Sequence, residues 1–235
     1  MATELEIVDK IIAQIRSGKL APHAKLPSEN VIADSWQVPR ITARKAYERL
    51  EEMGYIYKIQ GKGSYVKRRN QQIDLVLSGD VSFTRKMLEK GYHLHTENVF
   101  CKRIKYNKKV YDLLEAQEEE SIFKVGRLRF IDGQPIALHI SYVTQTQFED
   151  IKSVGEEITS MFAYYQSKGY SEFGSKPCIL SVTFPTKAQR KWLECSQLTP
   201  LLVLESGCID KRSGKVLDYT KVFYRSDCFS SYVIT

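Results

Sequence analysis

The stretch from Lys25 to Val66, KLPSENVIADSWQVPRITARKAYERLEEMGYIYKIQGKGSYV, constrains the fold more than any other part of the chain. Ser28 is an N-cap for a helix over Glu29–Trp36, and Glu29 favours its positive end. Gln37-Val38-Pro39 is a tight turn, with Pro39 expected near the first position of the next helix, where its missing N–H costs nothing. In that helix Ala43, Tyr47, Leu50 and Met53 recur at three- to four-residue spacing and form a core stripe. Arg40 and Arg44 lie four apart on another side, free to face a groove. Two β-rich runs, Tyr55–Ile59 and Ser64–Val66, flank Gln60-Gly61-Lys62-Gly63, whose glycines permit a sharp turn. Helix, turn, basic-tipped helix and basic hairpin together predict a winged helix-turn-helix. Its second helix is narrow enough for the major groove of DNA, and its wing can reach backbone or minor groove.

The same residues form a recognisable pattern: Leu26-Pro27-Ser28-Glu29, Ala33, Val38-x-Arg40-x-Thr42-x-Arg44-Lys45-Ala46, Leu50, Gly54 and Gln60-Gly61-x-Gly63-x-x-Val66. The pattern resembles the N-terminal domain of GntR-family transcriptional regulators. The resemblance implies DNA contacts from Ser28, Glu29, Arg40, Thr42, Arg44, Lys45, Lys62 and Gly63. Arg40 and Arg44 are expected at base edges or phosphates, Thr42 and Lys45 mostly at phosphates, and Lys62-Gly63 in the wing's groove. Asn30 and Pro39 depart from the pattern, standing where the family often has Arg and Ser.

Charge is distributed to match. Residues 1–70 hold 13 lysines and arginines against 8 acids, while residues 71–235 hold 22 against 20. The excess therefore sits where a polyanion would bind. A chain of 235 residues can build one large core or two small ones. The opening MATELEIVDK lacks the apolar segment of a signal peptide, and no run of about 18 apolar residues exists, so a cytoplasmic protein without membrane spans is expected. Five scattered cysteines without a C-x-x-C point to reduced, mostly buried thiols.

The chain in front of this stretch, Glu4–Arg16, reads as a supporting helix with Leu5, Val8, Ile11, Ile12 and Ile15 at helical spacing. Behind it, Lys67-Arg68-Arg69-Asn70-Gln71-Gln72 reads as a polar hinge. The domain organisation expected is 1–68 for DNA binding, 69–77 for linker and first strand, and 78–235 for a second domain. Strands are expected at Ile73–Leu77, Thr96–Tyr106, Ser121–Ile131, Gln134–Val143, Pro177–Phe184, Leu201–Asp210, Lys215–Arg225 and Phe229–Ile234. Helices are expected at Ser82–Lys90, Lys108–Ala116, Glu156–Ser167 and Thr186–Cys195. Asp132-Gly133 is a strong two-residue hairpin signal. Adjacent hairpins imply an antiparallel sheet with helices packed on it, an α+β domain.

Ser82-Phe83-Thr84 with Gly91 beyond, Arg127-x-Arg129 followed by Asp132-Gly133-Gln134-Pro135-Ile136-Ala137, and Tyr224-Arg225-Ser226-Asp227 resemble the effector-binding (UTRA) domain of the HutC-type branch of GntR regulators. That domain shares its fold with chorismate lyase and binds small molecules. Ser82 and Thr84 stand at an expected helix start, which serves either as an anion cradle or as an ordinary N-cap. Arg127 and Arg129, two apart, share a strand face and suit either solvent or a phosphate or carboxylate. The resemblance points to a pocket for at least one of them. It also implies effector contacts from Phe83, His139, Asp218 and Tyr224. His139 replaces a family carboxylate, and Cys228 stands where a basic residue is common.

No G-x-S-x-G, H-E-x-x-H or Walker loop occurs. His93-x-His95 lacks the further ligands of a metal site, and Gly61-x-Gly63 is too short for a dinucleotide fingerprint. No cofactor, metal or catalytic residue is expected. The reading is a homodimeric, ligand-responsive repressor of sugar uptake or catabolism genes. It binds palindromic double-stranded operator DNA and is released by a small effector such as a phosphosugar. An activator, a regulator answering to a non-sugar organic acid, and a chorismate-lyase-like enzyme are the alternatives.

Overall fold

The computed structural model describes residues 3–67, 73–77 and 83–234. Helix α1 (Glu4–Arg16) opens with a capping box between Thr3 and Glu6 and buries Ile7, Val8, Ile11 and Ile12. Helix α2 (Glu29–Trp36) is capped by Ser28, whose hydroxyl accepts from Val31 N–H. Gln37 takes left-handed backbone at its end (φ 50°), and helix α3 (Arg40–Glu52) follows. Pro39 is the N-cap of α3 rather than its first helical residue: its ψ of 143° is extended, outside the helical range. Strands β1 (Ile56–Ile59) and β2 (Gly63–Val66) pair antiparallel as the wing. Lys25 bridges to Tyr65 on its outer side. Tyr47 is buried in the resulting core and donates from its hydroxyl to Pro27 O at 2.7 Å. Trp36 packs half-buried against the same core.

Strand β3 (Ile73–Leu77) leads into α4 (Phe83–Glu89), β4 (Leu94–Arg103) and α5 (Lys108–Leu114). Then come β5 (Ile122–Ile131), β6 (Gln134–Thr144), α6 (Ile151–Val154), α7 (Met161–Ser167), β7 (Phe173–Ser175) and β8 (Ile179–Thr183). Helix α8 (Lys187–Leu193), β9 (Leu201–Asp210), β10 (Val216–Arg225) and β11 (Phe229–Ile234) complete the order. A seven-stranded antiparallel sheet runs β4-β5-β6-β10-β9-β7, with β8 also on β9. The β5–β6 hairpin closes through Asp132 and Gly133, both at positive φ (50° and 74°), as a two-residue turn of this hand requires. Helices α6 and α7 pack on one face through Phe148, Ile151, Met161 and Tyr165. Helices α5 and α8 cover the other.

The helix expected over Glu156–Ser167 begins only at Met161, as α7, and the short α6 before it has no counterpart in the sequence reading. Asn98 of β4 donates to the carbonyls of Gly155 (2.8 Å) and Ile158 (3.0 Å), which are thereby not available to a continuous helix. Ser160 then caps α7. The strand expected over Thr96–Tyr106 starts earlier and stops at Arg103, because Asn107 caps α5 at Val110 N–H. Strand β7 and the 3-10 turn Ser226–Cys228 have no counterpart in the sequence reading. β3 pairs with β11 in parallel, outside the antiparallel sheet. Cys208 and Cys228 are buried, Cys101 and Cys195 half-buried and Cys178 exposed. No helix among the described residues is long and apolar enough to cross a membrane.

Candidate nucleic-acid interface and effector site

The alternation of core and surface on α3 follows from its sequence. Ala43, Ala46, Tyr47 and Leu50 are buried, whereas Arg40, Ile41, Arg44 and Lys45 are exposed. Arg40 lies 3.8 Å from Glu29, the first residue of α2. Arg44 donates through Nε to Glu48 at 2.9 Å, and that bond raises its already high pKa. Between α2, α3 and the wing lies a cleft of about 520 Å³, lined by Ser28, Glu29, Arg40, Lys62 and Gly63 among others. Thr42 stands half-exposed in the first turn of α3, and Lys62 and Gly63 are exposed at the wing tip. The eight residues singled out for DNA contact therefore fall on two adjoining elements of the cleft and on the exposed face of α3.

The second cluster is built by strand register. Arg127 pairs with His139 and Arg129 with Ala137 across β5–β6, while Val222 pairs with His139 and Tyr224 with Ala137 across β6–β10. Even spacing then places Arg127, Arg129, His139, Asp218, Thr220 and Tyr224 on one sheet face. That face is buried: Arg127 is 3%, Arg129 4% and His139 6% exposed. The solvent-facing alternative for the two arginines is therefore overturned.

Arg127 Nη2 donates to Ser141 Oγ at 2.5 Å. Ser141 shares a hydrogen bond of 2.7 Å with Thr220, and Thr220 donates to Asp218 Oδ2 at 3.1 Å. Tyr165 of α7 also donates to Asp218 Oδ2, at 2.6 Å, and Cys208 N–H donates to Oδ1. This chain braces Asp218 from three elements. Arg129 Nη1 donates to Thr96 Oγ1 at 2.5 Å and, at 3.4 Å, to Thr84 Oγ1. Phe83 stands over this group, its ring 5.1 Å from His139, 6.0 Å from Tyr224 and 5.9 Å from the Arg129 guanidinium. Ser82 lies outside the described residues.

Electrostatics single out the cluster. Burial, and then Arg127, push Arg129 down to about 9. Burial also lowers Arg127 and, with both arginines, holds His139 well below the ordinary imidazole value, so its ring is neutral. Burial raises Asp218. Arg127 Nε, Arg129 Nε and His139 Nε2 are all buried without a hydrogen-bond partner among the described residues, an uncommon state for polar atoms of a native fold. Sequence reasoning missed Thr96, Ser141, Thr220 and Tyr165, which complete this network. Only register across the sheet could have found them. No group of three or more His, Cys, Asp or Glu suited to a metal ion occurs among the described residues, and His95 pairs with Glu97 at 3.1 Å.

A winged helix with an exposed basic reading face, joined to an α+β unit with a buried cationic cluster, defines a DNA-binding regulator. Comparison with known proteins agrees. Residues 3–66 match the bacterial regulatory proteins of the gntR family, and residues 89–230 match the UTRA domain. The mannosyl-D-glycerate transport/metabolism system repressor MngR of Escherichia coli (strain K12) is 26% identical over 231 residues, covering 97% of this chain and 94% of the relative. A protein of the same organism named "Probable fructoselysine utilization operon transcriptional repressor" is 23% identical, covering 93% of this chain and 88% of its own. The crystal structure of PhnF from Mycobacterium smegmatis shares the fold, with TM-score 0.62 and 17% identity over 97% of this chain and 98% of that one. The chain belongs to the GntR family, with the winged helix-turn-helix plus UTRA architecture of its HutC-type branch. It is thus a DNA-binding transcriptional regulator with an effector-binding domain, not an enzyme.

Proposed function

We propose that this regulator is a homodimeric repressor of sugar uptake or catabolism genes, released from a palindromic operator by a small anionic effector such as a phosphosugar. The observation that carries the effector reading is the set of three unpartnered buried atoms, Arg127 Nε, Arg129 Nε and His139 Nε2, on one sheet face. Among the described residues two buried guanidiniums stand with one buried carboxylate, and His139 is neutral, so these groups together hold excess positive charge that an anion would balance. Phe83, Thr84 and Tyr224 complete the proposed site, with Asp218 as its brace. The names of the relatives support the sugar class: MngR is the repressor of a mannosyl-D-glycerate system, and a second relative is named for fructoselysine utilization.

Contacts between the two halves support coupling. Tyr224 is followed by Arg225, which is 1% exposed and donates to Pro135 O (3.0 Å) and Leu193 O (2.9 Å) and pairs with Asp227. Leu193 ends α8, and just beyond it Ser196 donates to the backbone carbonyl of Glu52, the last residue of α3. Gln197 Nε2 reaches the Glu52 carboxylate at 3.3 Å. A ligand with different affinity for two arrangements of this path would shift the reading head. The division at residues 69–77, between a DNA-binding domain of 1–68 and a sensor of 78–235, belongs to this proposal.

The test is a thermal-shift screen of the full chain against phosphosugars, free sugars and organic acids, followed by operator release. A phosphosugar that raises the melting temperature and frees the DNA is expected. Arg127→Ala is expected to abolish that release while operator binding stays intact. A hit confined to non-sugar acids, or a stabilising ligand that leaves DNA binding unchanged, would overturn the reading.

A further inference from the structure

On α3 the core stripe and the reading face are fixed by helix geometry. At about 100° per residue, Ala43 and Leu50 stand roughly 180–200° round the helix from Ile41. Both are fully buried. Ile41 is therefore at the pole opposite the core, and it is 55% exposed. Arg44 and Lys45, three and four residues on, flank it on the same face. It sits in the first turn, the part of a recognition helix that reaches base edges.

An exposed isoleucine there is not explained by folding. It is outside the core cluster, and its β-branch lowers helix propensity slightly. Leu5 and Val31 are exposed to a similar degree, 53% and 54%, but they lie on α1 and α2. Singly exposed apolar side chains are ordinary, but the position of this one is not: Ile41 is the apolar group at the centre of a face otherwise made of Arg40, Arg44, Lys45 and Glu48. In the major groove each base pair offers polar atoms, and thymine alone adds a C5-methyl group.

We infer that Ile41 is a specificity-determining residue that reads the C5-methyl of a thymine in each operator half-site. Arg40 and Arg44 beside it read polar edges or phosphates. The assignment rests on the operator-binding reading and deepens it, because it names a base the operator must contain.

The test starts from a randomised duplex pool from which the full chain and Ile41→Ala each select binding sites. The wild type is expected to enrich one thymine per half-site, and Ile41→Ala to lose that preference at that step alone. Ile41 is no member of the core cluster of the winged helix, so the variant is expected to keep its fold, checked by its melting temperature. A second arm needs no variant. Deoxyuridine in place of that thymine removes only the methyl group. Binding by the wild type should weaken about fourfold, the equivalent of ~0.8 kcal/mol for one buried carbon, and Ile41→Ala should not respond. The same thymine preference in both chains, or wild-type binding indifferent to deoxyuridine, would overturn the Ile41 assignment and leave operator binding standing. A pool from which neither chain enriches any sequence would overturn both.

Discussion

At the scale of single residues, burial decides which groups are chemically unusual. Arg44 is exposed and pairs with Glu48. Its expected role at DNA is tested by Arg44→Ala, which should weaken specific operator binding by roughly fivefold or more, the scale of one base readout. An unchanged fluorescence-anisotropy titration would remove Arg44 from the interface. His139 is the opposite case. It is held neutral by burial and by Arg129 and Arg127, whereas in an unfolded chain it titrates near about 6.5. Below that pH the unfolded state binds the extra proton first, so stability falls as pH drops. The melting temperature of the wild type should therefore fall more between about pH 7 and about pH 5 than that of His139→Gln, which cannot titrate. Equal falls would show that another group carries the acid sensitivity. The pairing of Arg127 and Arg129 on one face was legible from their spacing alone. Their burial was not, because it depends on α4 and α7 lying over the strands, and no local pattern encodes that.

At the scale of elements, the DNA-binding unit was legible almost residue by residue. Its caps, turn and wing are local signals, and α1, α2 and α3 stand within a residue or two of the spans read from Glu4–Arg16, Glu29–Trp36 and the Pro39 turn. The late start of α7 was not legible. It depends on Asn98, nearly sixty residues away, taking two carbonyls from that segment. A similar long-range constraint acts at Gly126. A Cβ built there would lie 2.3 Å from the Phe100 ring, which β4 places directly over the β5 backbone at a register shift. Gly126→Ala should destabilise the chain by about 1–3 kcal/mol, the usual cost of overpacking, read from chemical denaturation. A denaturation midpoint equal to that of the wild type would mean that Phe100 swings aside without cost.

At the scale of the whole molecule, strand β8 lies at an edge of the sheet, pairing with β9 among the described residues. Ile179 and Val182 on it are 60% and 68% exposed, and Phe184 just beyond is 60% exposed. An open apolar edge invites a partner strand, and a second copy of the same edge satisfies a two-fold dimer. In the proposed homodimer Val182→Asp should therefore shift the protein towards monomer in sedimentation experiments and weaken its grip on the proposed palindromic site. A dimer unaffected by Val182→Asp would place the two-fold contact elsewhere. The pairing of β3 with β11 has a different kind of consequence. Among the described residues β3 finds its neighbour in β11, the last strand in chain order, whereas the DNA-binding unit closes on contacts among its own first 66 residues. During synthesis at ~5–20 residues per second, roughly ten to thirty seconds separate the two events. A nascent chain on the ribosome thus holds a finished winged helix before the second domain is complete, and in the proposed regulator that interval passes before any effector site exists.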